Sequence, residues 1–220
     1  MSLLRAAVVI DYQNLHLTGR GLFDSSLAPH ESLVHPLHYA NQLIHARNVK
    51  QREGQGHASL SKVLVYRGLP SAVHDPAPYA RNLAQKTEWE RDPRVSVTLR
   101  PLKYDYQRTA DGRKATDASG KELVTGKSEK GVDVLCALAV VREARDTAVD
   151  VVILASQDTD LEPALDEACA LGSAKIETAS WYAPGQWTSK EIRPTSPRRI
   201  WNTRLNANSF SAARDQKIYT

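Results

Sequence analysis

The sequence predicts an α/β domain in which helices cover both faces of a mainly parallel sheet. Short apolar runs alternate along the chain with segments of helical periodicity, and that alternation is typical of parallel sheets. The length of 220 residues fits one domain with an appendage. With 41% hydrophobic and 25% charged residues, the composition is that of a globular protein and excludes wholesale disorder. We therefore expect three layers, α/β/α, around a five-stranded sheet.

Five segments have the pattern of strands in a buried sheet. The first, RAAVVID, is an apolar run that ends in an acid, and the fourth, VDVVILA, is similar. The third alternates valine and leucine with polar residues. The predicted strands are 5–11, 62–67, 95–102, 149–155 and 175–182.

Four segments repeat apolar residues at helical spacing, and the stretch between the first strand and Pro29 is expected to be a polar loop. Gly172 follows the last predicted helix as a natural C-terminal stop. In the third helix, Val134, Leu135, Leu138 and Val141 are expected to face the core. The predicted helices are 32–48, 78–91, 131–145 and 161–171.

Residues 103–130 interrupt this alternation with a polar, basic segment punctuated by glycines. Such a long excursion from a compact domain is often functional, and we expect a long loop or a β-hairpin. Tyr104 and Tyr106 are candidates for stacking on nucleic-acid bases. The candidate phosphate contacts in this segment are Lys103, Arg108, Lys127 and Lys130.

The positive charge is concentrated at the C-terminus. Residues 184–220 net +5, whereas the whole chain nets +4, so residues 1–183 are nearly neutral. We divide the chain into a domain at 1–183 and a basic C-terminal extension at 184–220. The extension could bind a phosphate backbone, or it could pack Ile200, Trp201 and Leu205 on the body of the domain. One segment can do both. Its candidate nucleic-acid contacts are Arg198, Arg199 and Arg204.

Four acids and an amide are expected at one edge of the sheet, because ligands of open α/β sheets bind beyond the carboxyl ends of the strands. Asp11 ends the first predicted strand, and Asp158 and Asp160 follow the fourth. Asp133 lies in the first turn of a predicted helix. Each acid also has an ordinary structural role as a helix cap or as a first-turn residue that complements the helix dipole. The predicted set is Asp11, Asn14, Asp133, Asp158 and Asp160.

Convergent carboxylates repel each other, and two unit charges ~5 Å apart at an effective dielectric of ~20 cost about 3 kcal/mol. The cluster therefore predicts either protonated acids or a bound cation. Oxygen ligands from aspartate and asparagine suit Mg²⁺ or Mn²⁺ rather than zinc. Such an ion activates water for attack on a phosphodiester, with the four aspartates as its ligands and Lys130 on the phosphate.

Four motifs in this order resemble the NYN domain, a branch of the PIN-like nucleases: VVIDYQN, KVLVYRG, EKGVDV and VVILASQDTDL. The resemblance covers about residues 5–182. It implies a PIN-like, Rossmann-like fold, metal-binding aspartates and often endoribonuclease activity. By motif match, the acids of the family fall on the four aspartates above and its asparagine on Asn14. Gln157 replaces the glycine of the usual Ser-Gly-Asp motif, either restricting phosphate approach or supplying an amide contact.

The sequence thus predicts a metal-dependent endoribonuclease that hydrolyses RNA through an aspartate-bound Mg²⁺ or Mn²⁺ site; DNA as the substrate stays open. The alternative is a catalytically silent adaptor that binds RNA or protein with the same fold. The two cysteines, Cys136 and Cys169, cannot form a disulfide framework, and no apolar run reaches membrane-spanning length. The expected compartment is the cytoplasm, with no membrane partner.

Overall fold

The computed structural model describes residues 3–51, 56–186 and 191–219, and contains eight strands within them. Six of these form the central sheet, and two form a separate antiparallel pair. In chain order the strands are β1 Leu4–Asp11, β2 Ala58–Leu69, β3 Val95–Pro101, β4 Lys103–Tyr106, β5 Val124–Ser128, β6 Val151–Ala155, β7 Lys175–Trp181 and β8 Trp201–Leu205.

Six α-helices connect or follow the strands, and a 3-10 turn at Thr159–Leu161 precedes the fifth. Gly172 ends that fifth helix in the left-handed conformation, as its position in the sequence predicts. The helices are α1 Tyr12–Phe23, α2 Pro36–Val49, α3 Pro76–Trp89, α4 Val132–Arg145, α5 Glu162–Leu171 and α6 Ala207–Ala213.

The central sheet has the order β3-β2-β1-β6-β7-β8, and every neighbouring pair is parallel. The chain builds outward from β1 in one direction, then returns to β6 on its other side and builds outward again. The strand order therefore reverses between β1 and β6, which is where open α/β sheets form a ligand crevice.

The helices cover both faces of the sheet, which confirms the predicted three-layer α/β/α fold. One face packs against α1, α2 and α6, in a core that includes Ile10, Tyr39 and Trp181. The other packs against α4 and α5, in a core that includes Val9 and Leu165. Because β1 is buried on both faces, its sequence reads as a continuous apolar run rather than an alternating one.

The predicted number of five strands is wrong, because the C-terminal segment adds a sixth. β8 pairs with β7, and α6 then packs beside α2. Leu205 and Phe210 are almost fully buried, Ile200 packs on the second core, and Trp201 is 38% exposed. Much of the segment that begins at residue 184 is thus packed on the body of the domain.

The first helix replaces the polar loop that the sequence predicts before Pro29. Its two glycines and polar residues give it weak intrinsic helix propensity, so tertiary packing decides its conformation. A Cβ atom at Gly19 would lie 2.7 Å from Trp181 Nε1, so this residue allows α1 to approach β7 closely.

The predicted inward face of α4 is partly wrong. Val134 and Leu138 are 59% and 60% exposed, whereas Cys136, Ala139 and Val140 are fully buried. The helix is apolar on most of its surface, so periodicity alone does not identify the face that meets the sheet.

Residues 103–130 form a β-hairpin, one of the two conformations expected for them. β4 and β5 pair antiparallel at its base, and isolated bridges such as Arg108 with Lys114 continue the pairing outward. The hydroxyl of Tyr104 donates a 2.6 Å hydrogen bond to Asp75 Oδ2, which fixes the base of the hairpin to the start of α3.

Across the described ranges, the helices all fall short of the length and apolar character needed to cross a bilayer.

Candidate active site

Asp11 is the last residue of β1 and lies at the point where the strand order reverses. Its side chain is 3% exposed and caps α1, because Oδ1 accepts a 3.2 Å hydrogen bond from the backbone N–H of Asn14. Its second oxygen, Oδ2, accepts a 3.1 Å hydrogen bond from the hydroxyl of Ser156, which follows β6. Both oxygens are therefore held in place at the sheet edge.

Asp158 and Asp133 approach Asp11 from two other elements. Asp158 follows β6 and caps the 3-10 turn, and Asp133 lies in the first turn of α4. A helix that returns antiparallel to the strands begins at their carboxyl edge, so α4 places Asp133 there. One carboxylate oxygen from each of the three aspartates lies within 4.8 Å of the other two. Asp11 and Asp158 therefore act as helix caps and also contribute carboxylate oxygens to this cluster.

Asp11 and Asp133 ionise less readily than ordinary aspartates. Burial raises the pKa of Asp11 to about 7, with smaller contributions from the charges of Asp133 and Glu129. Burial also raises the pKa of Asp133, and the neighbouring Asp158 and Asp160 add to this effect. Asp133 and Asp158 are partly exposed. The crevice therefore carries uncompensated negative charge, which disfavours full ionisation without a cation.

The donor set fits a hard divalent cation, since it consists of carboxylate oxygens alone. Ligands about 2.1 Å from one Mg²⁺ or Mn²⁺ lie at most ~4.2 Å apart. The oxygens of Asp11, Asp133 and Asp158 lie within 4.8 Å of one another, so small side-chain adjustments bring them to that range.

Asn14 and Gln157 hold the loop after β6. The side-chain oxygen of Asn14 accepts a 2.8 Å hydrogen bond from the backbone N–H of Gln157. The side-chain oxygen of Gln157 in turn accepts a 3.2 Å hydrogen bond from the backbone N–H of Trp181, at the end of β7. Both contacts fix the positions of the strand ends relative to each other.

Asp160 lies outside the group of three converging carboxylates, although the sequence places it with them. It is exposed, and its backbone N–H donates a 3.0 Å hydrogen bond to Asp158 Oδ1. Its charge still acts on the crevice through the pKa of Asp133.

Glu129 is a fourth carboxylate near the crevice that the sequence argument did not select. Its Oε1 accepts a 2.5 Å hydrogen bond from the backbone N–H of Gly68, near the end of β2, and the amide of Gln13 lies 2.7 Å from the same oxygen. A Cβ atom at Gly68 would lie 2.4 Å from Glu129 Oε1, so glycine is needed for this approach. The feature of the sequence that could have identified Glu129 is its position next to Lys130, three residues before α4.

The seven basic residues predicted to contact nucleic acid differ in whether their side chains already form ion pairs within the protein. Lys130 and Arg199 form no side-chain hydrogen bond or ion pair within the described ranges, and Arg108 and Arg198 donate only to backbone carbonyl oxygens. The other three are paired with carboxylates: Lys103 with Asp105 at 3.4 Å, Lys127 with Asp75 at 3.0 Å, and Arg204 with Glu191 at 3.1 Å.

Comparison with protein-family models gives no match for this chain, and comparison with curated proteins gives none. Among solved structures, the chain is similar to a protein of unknown function from Vibrio parahaemolyticus, with 18% sequence identity and a TM-score of 0.45. The similarity covers 89% of this chain and 94% of that one. The NYN resemblance remains a prediction from the sequence.

Proposed function

We propose that this protein is a metal-dependent endoribonuclease. The observation that supports the proposal is the convergence of Asp11, Asp133 and Asp158 within 4.8 Å, at the reversal of strand order. Their oxygens would hold Mg²⁺ or Mn²⁺, which supplies an activated water and neutralises charge on a phosphodiester.

The side chains of the protein have separable tasks in this proposal. Asp11 is fixed by Asn14 and Ser156, so it provides a rigid first ligand. The more exposed Asp133 and Asp158 complete the set from the solvent side. Lys130 places a positive charge just before α4, where it would contact the scissile phosphate.

RNA is the proposed substrate class, and the proposed compartment is the cytoplasm, which agrees with two free, buried cysteines. The hairpin and the segment around Arg198 and Arg199 would contact the strand through guanidinium and ammonium groups without carboxylate partners.

The test is incubation of 5′-labelled RNA with the protein in Mn²⁺, with and without EDTA, beside Asp11→Asn and Asp158→Asn. We expect cleavage only with the metal, and at least a hundredfold loss in each variant. Asp92→Asn, at the amino end of the sheet, is a matched control that should cleave like the wild type. Cleavage that survives in both site variants would refute the assignment. Binding of RNA without cleavage by the wild type would favour the adaptor instead.

A further inference from the structure

A cavity of about 290 Å³ opens at the carboxyl ends of β1 and β2. Its walls come from the first turns of α1, the end of β2, the helix α3 and the base of the hairpin. Glu129 lines the cavity, and its charge also acts on Asp11 and Asp133. Glu129 is therefore a neighbour of both the cavity and the candidate active site.

Two arginines, Arg67 and Arg81, line the cavity together with one carboxylate, that of Glu129, so positive charge is in excess. Arg67 stacks over the ring of Tyr12 at 4.5 Å and donates a 2.6 Å hydrogen bond to Gln85, a neutral partner. No carboxylate of the described residues lies within ion-pair distance of its guanidinium. The charge of Glu129 acts on Arg67 at longer range, but burial is the larger effect and lowers the pKa of Arg67.

Arg81 and His16 also line the cavity. The guanidinium of Arg81 makes no hydrogen bond or ion pair in the part of the chain that the structure describes, and it lies on α3 facing the same space. His16 is 6% exposed and hydrogen bonds to the backbone of Pro29, whereas its Nδ1 has no hydrogen-bond partner among the described residues. Buried polar atoms are normally satisfied, so this nitrogen is available for a hydrogen bond from a ligand or from water in the cavity.

The remaining walls are apolar or flat. They include Leu17, Pro29, Pro70, Pro78 and Leu102, and the exposed ring of His30. Surfaces of this kind accept the face of a nucleobase. The volume is near the lower end for small-molecule sites, which suits one nucleotide rather than several.

We propose that this cavity binds one nucleotide unit next to the bond that is cut, with a phosphate oxygen accepting hydrogen bonds from Arg67 and Arg81 and the base against the apolar wall. The inference rests on the proposed nuclease function for its biological setting. Nucleotide binding itself requires only the cavity, so a binding experiment without catalysis tests it.

The experiment titrates the full chain, in EDTA, with the four nucleoside 5′-monophosphates and the four nucleosides, by isothermal titration calorimetry. At least one monophosphate should bind tenfold or more tightly than its nucleoside. Arg67→Met and Arg81→Met should each weaken that monophosphate at least tenfold. Arg67→Lys keeps the charge but not the planar fork, so it should give an intermediate loss. Arg94→Met is the matched control, since Arg94 pairs with Asp92 at the opposite end of the sheet.

Equal binding of nucleosides and monophosphates, unchanged binding by Arg81→Met, or no binding by the wild type at millimolar ligand would each overturn the proposal. If Arg67→Met fails to fold, Arg67→Lys and Arg81→Met decide the question. A short RNA in the same titration distinguishes a strand from a free nucleotide as the source of the phosphate. It should compete with the monophosphate, and absence of competition would refute binding of a substrate strand in this cavity.

The outcome is separable from that of the nuclease assay. Monophosphate binding without RNA cleavage would support the cavity and refute the nuclease. RNA cleavage in which Arg67→Lys and Arg81→Met leave KM unchanged would support the nuclease and refute the cavity. If both proposals hold, these variants should raise KM several-fold with a smaller change in kcat.

Discussion

The hydroxyl of Ser156 donates a hydrogen bond of 3.1 Å to Oδ2 of Asp11, and so joins the ends of β6 and β1. The two residues are 145 positions apart in the sequence. The same hydroxyl accepts a 3.1 Å hydrogen bond from the backbone N–H of Asp158. One serine therefore positions the two strand-end aspartates of the crevice relative to each other.

The raised pKa of Asp11 predicts that the metal-free protein loses stability as the pH rises. Its folded pKa of about 7 lies above the ordinary value of 3.8. Between these values the unfolded chain binds fewer protons than the folded one, so the free energy of unfolding falls with pH, by up to about 4 kcal/mol at pH 7 and above. Asp133 and Glu129 act in the same direction. Urea denaturation in EDTA at pH 4.5, 6 and 8 measures the slope.

The variant Asp11→Asn should flatten that slope and be more stable than the wild type at pH 8, because the amide carries no charge to bury. Asp105→Asn, at an exposed position in the hairpin, is the control and should keep the wild-type slope. A wild-type slope in Asp11→Asn would show that other groups govern the pH dependence.

Divalent cations are predicted to stabilise the fold through the three converging carboxylates. At a Mn²⁺ concentration of 100 times Kd, binding to the folded state alone adds about 2.7 kcal/mol to the free energy of unfolding. Thermal denaturation with and without Mn²⁺ should show this increase in the wild type and in Asp160→Asn. It should be strongly reduced in Asp133→Asn and Asp158→Asn. Equal stabilisation of all four proteins would place the ion elsewhere.

The ion pair between Arg47 and Glu177 is predicted to be among the most sensitive contacts of the fold. Arg47 Nε lies 2.8 Å from Glu177 Oε2, and both side chains are fully buried between α2 and β7. Lys175 Nζ, at the surface, also lies 2.9 Å from Glu177 Oε1 and remains in the variant. Arg47 makes the two fully buried hydrogen bonds to Glu177, so Arg47→Met should cost about 3 kcal/mol by urea denaturation. Arg5→Met, which breaks the exposed pair with Asp150, is the control and should have a much smaller effect. A small effect of Arg47→Met would show that Lys175 alone compensates the charge of Glu177.

The C-terminal segment is predicted to contribute to RNA binding through charge, separately from its part in the fold. Truncation after Ala183 removes β8 and α6 and would destabilise the domain, so it does not isolate the charge effect. The double variant Arg198→Gln/Arg199→Gln leaves the buried Leu205 and Phe210 in place.

If both arginines contact phosphates of single-stranded RNA, the slope of log Kobs against log salt should become less steep by about 1.4. Fluorescence anisotropy with labelled RNA between 50 and 300 mM KCl measures it, and Arg94→Gln is the control. An unchanged slope would assign this segment to packing alone.

The sequence determined the type of fold and the edge of the sheet at which the acids lie. β1 and β6 read as apolar runs because both are buried on two faces; Asp11 ends β1, and Asp158 lies three residues after β6. In a parallel sheet all the carboxyl ends lie at one edge, so Asp11 and Asp158 had to share it. Strand-to-helix alternation was enough to infer this, with no knowledge of the strand order.

Tertiary structure decided which strands are neighbours, and with them the details of the crevice. The local pattern of WNTRL does not show that β8 extends the sheet, because pairing with β7 and the packing of α6 stabilise that strand. Glu129 follows β5 of the hairpin rather than a strand of the central sheet, and it reaches the crevice because the hairpin places it against Gly68. Arg67 and Arg81 lie on separate elements that meet only when α3 packs beside β2. The spacing of apolar residues along the chain indicates single helices and strands. The contacts between distant elements depend on how those elements pack.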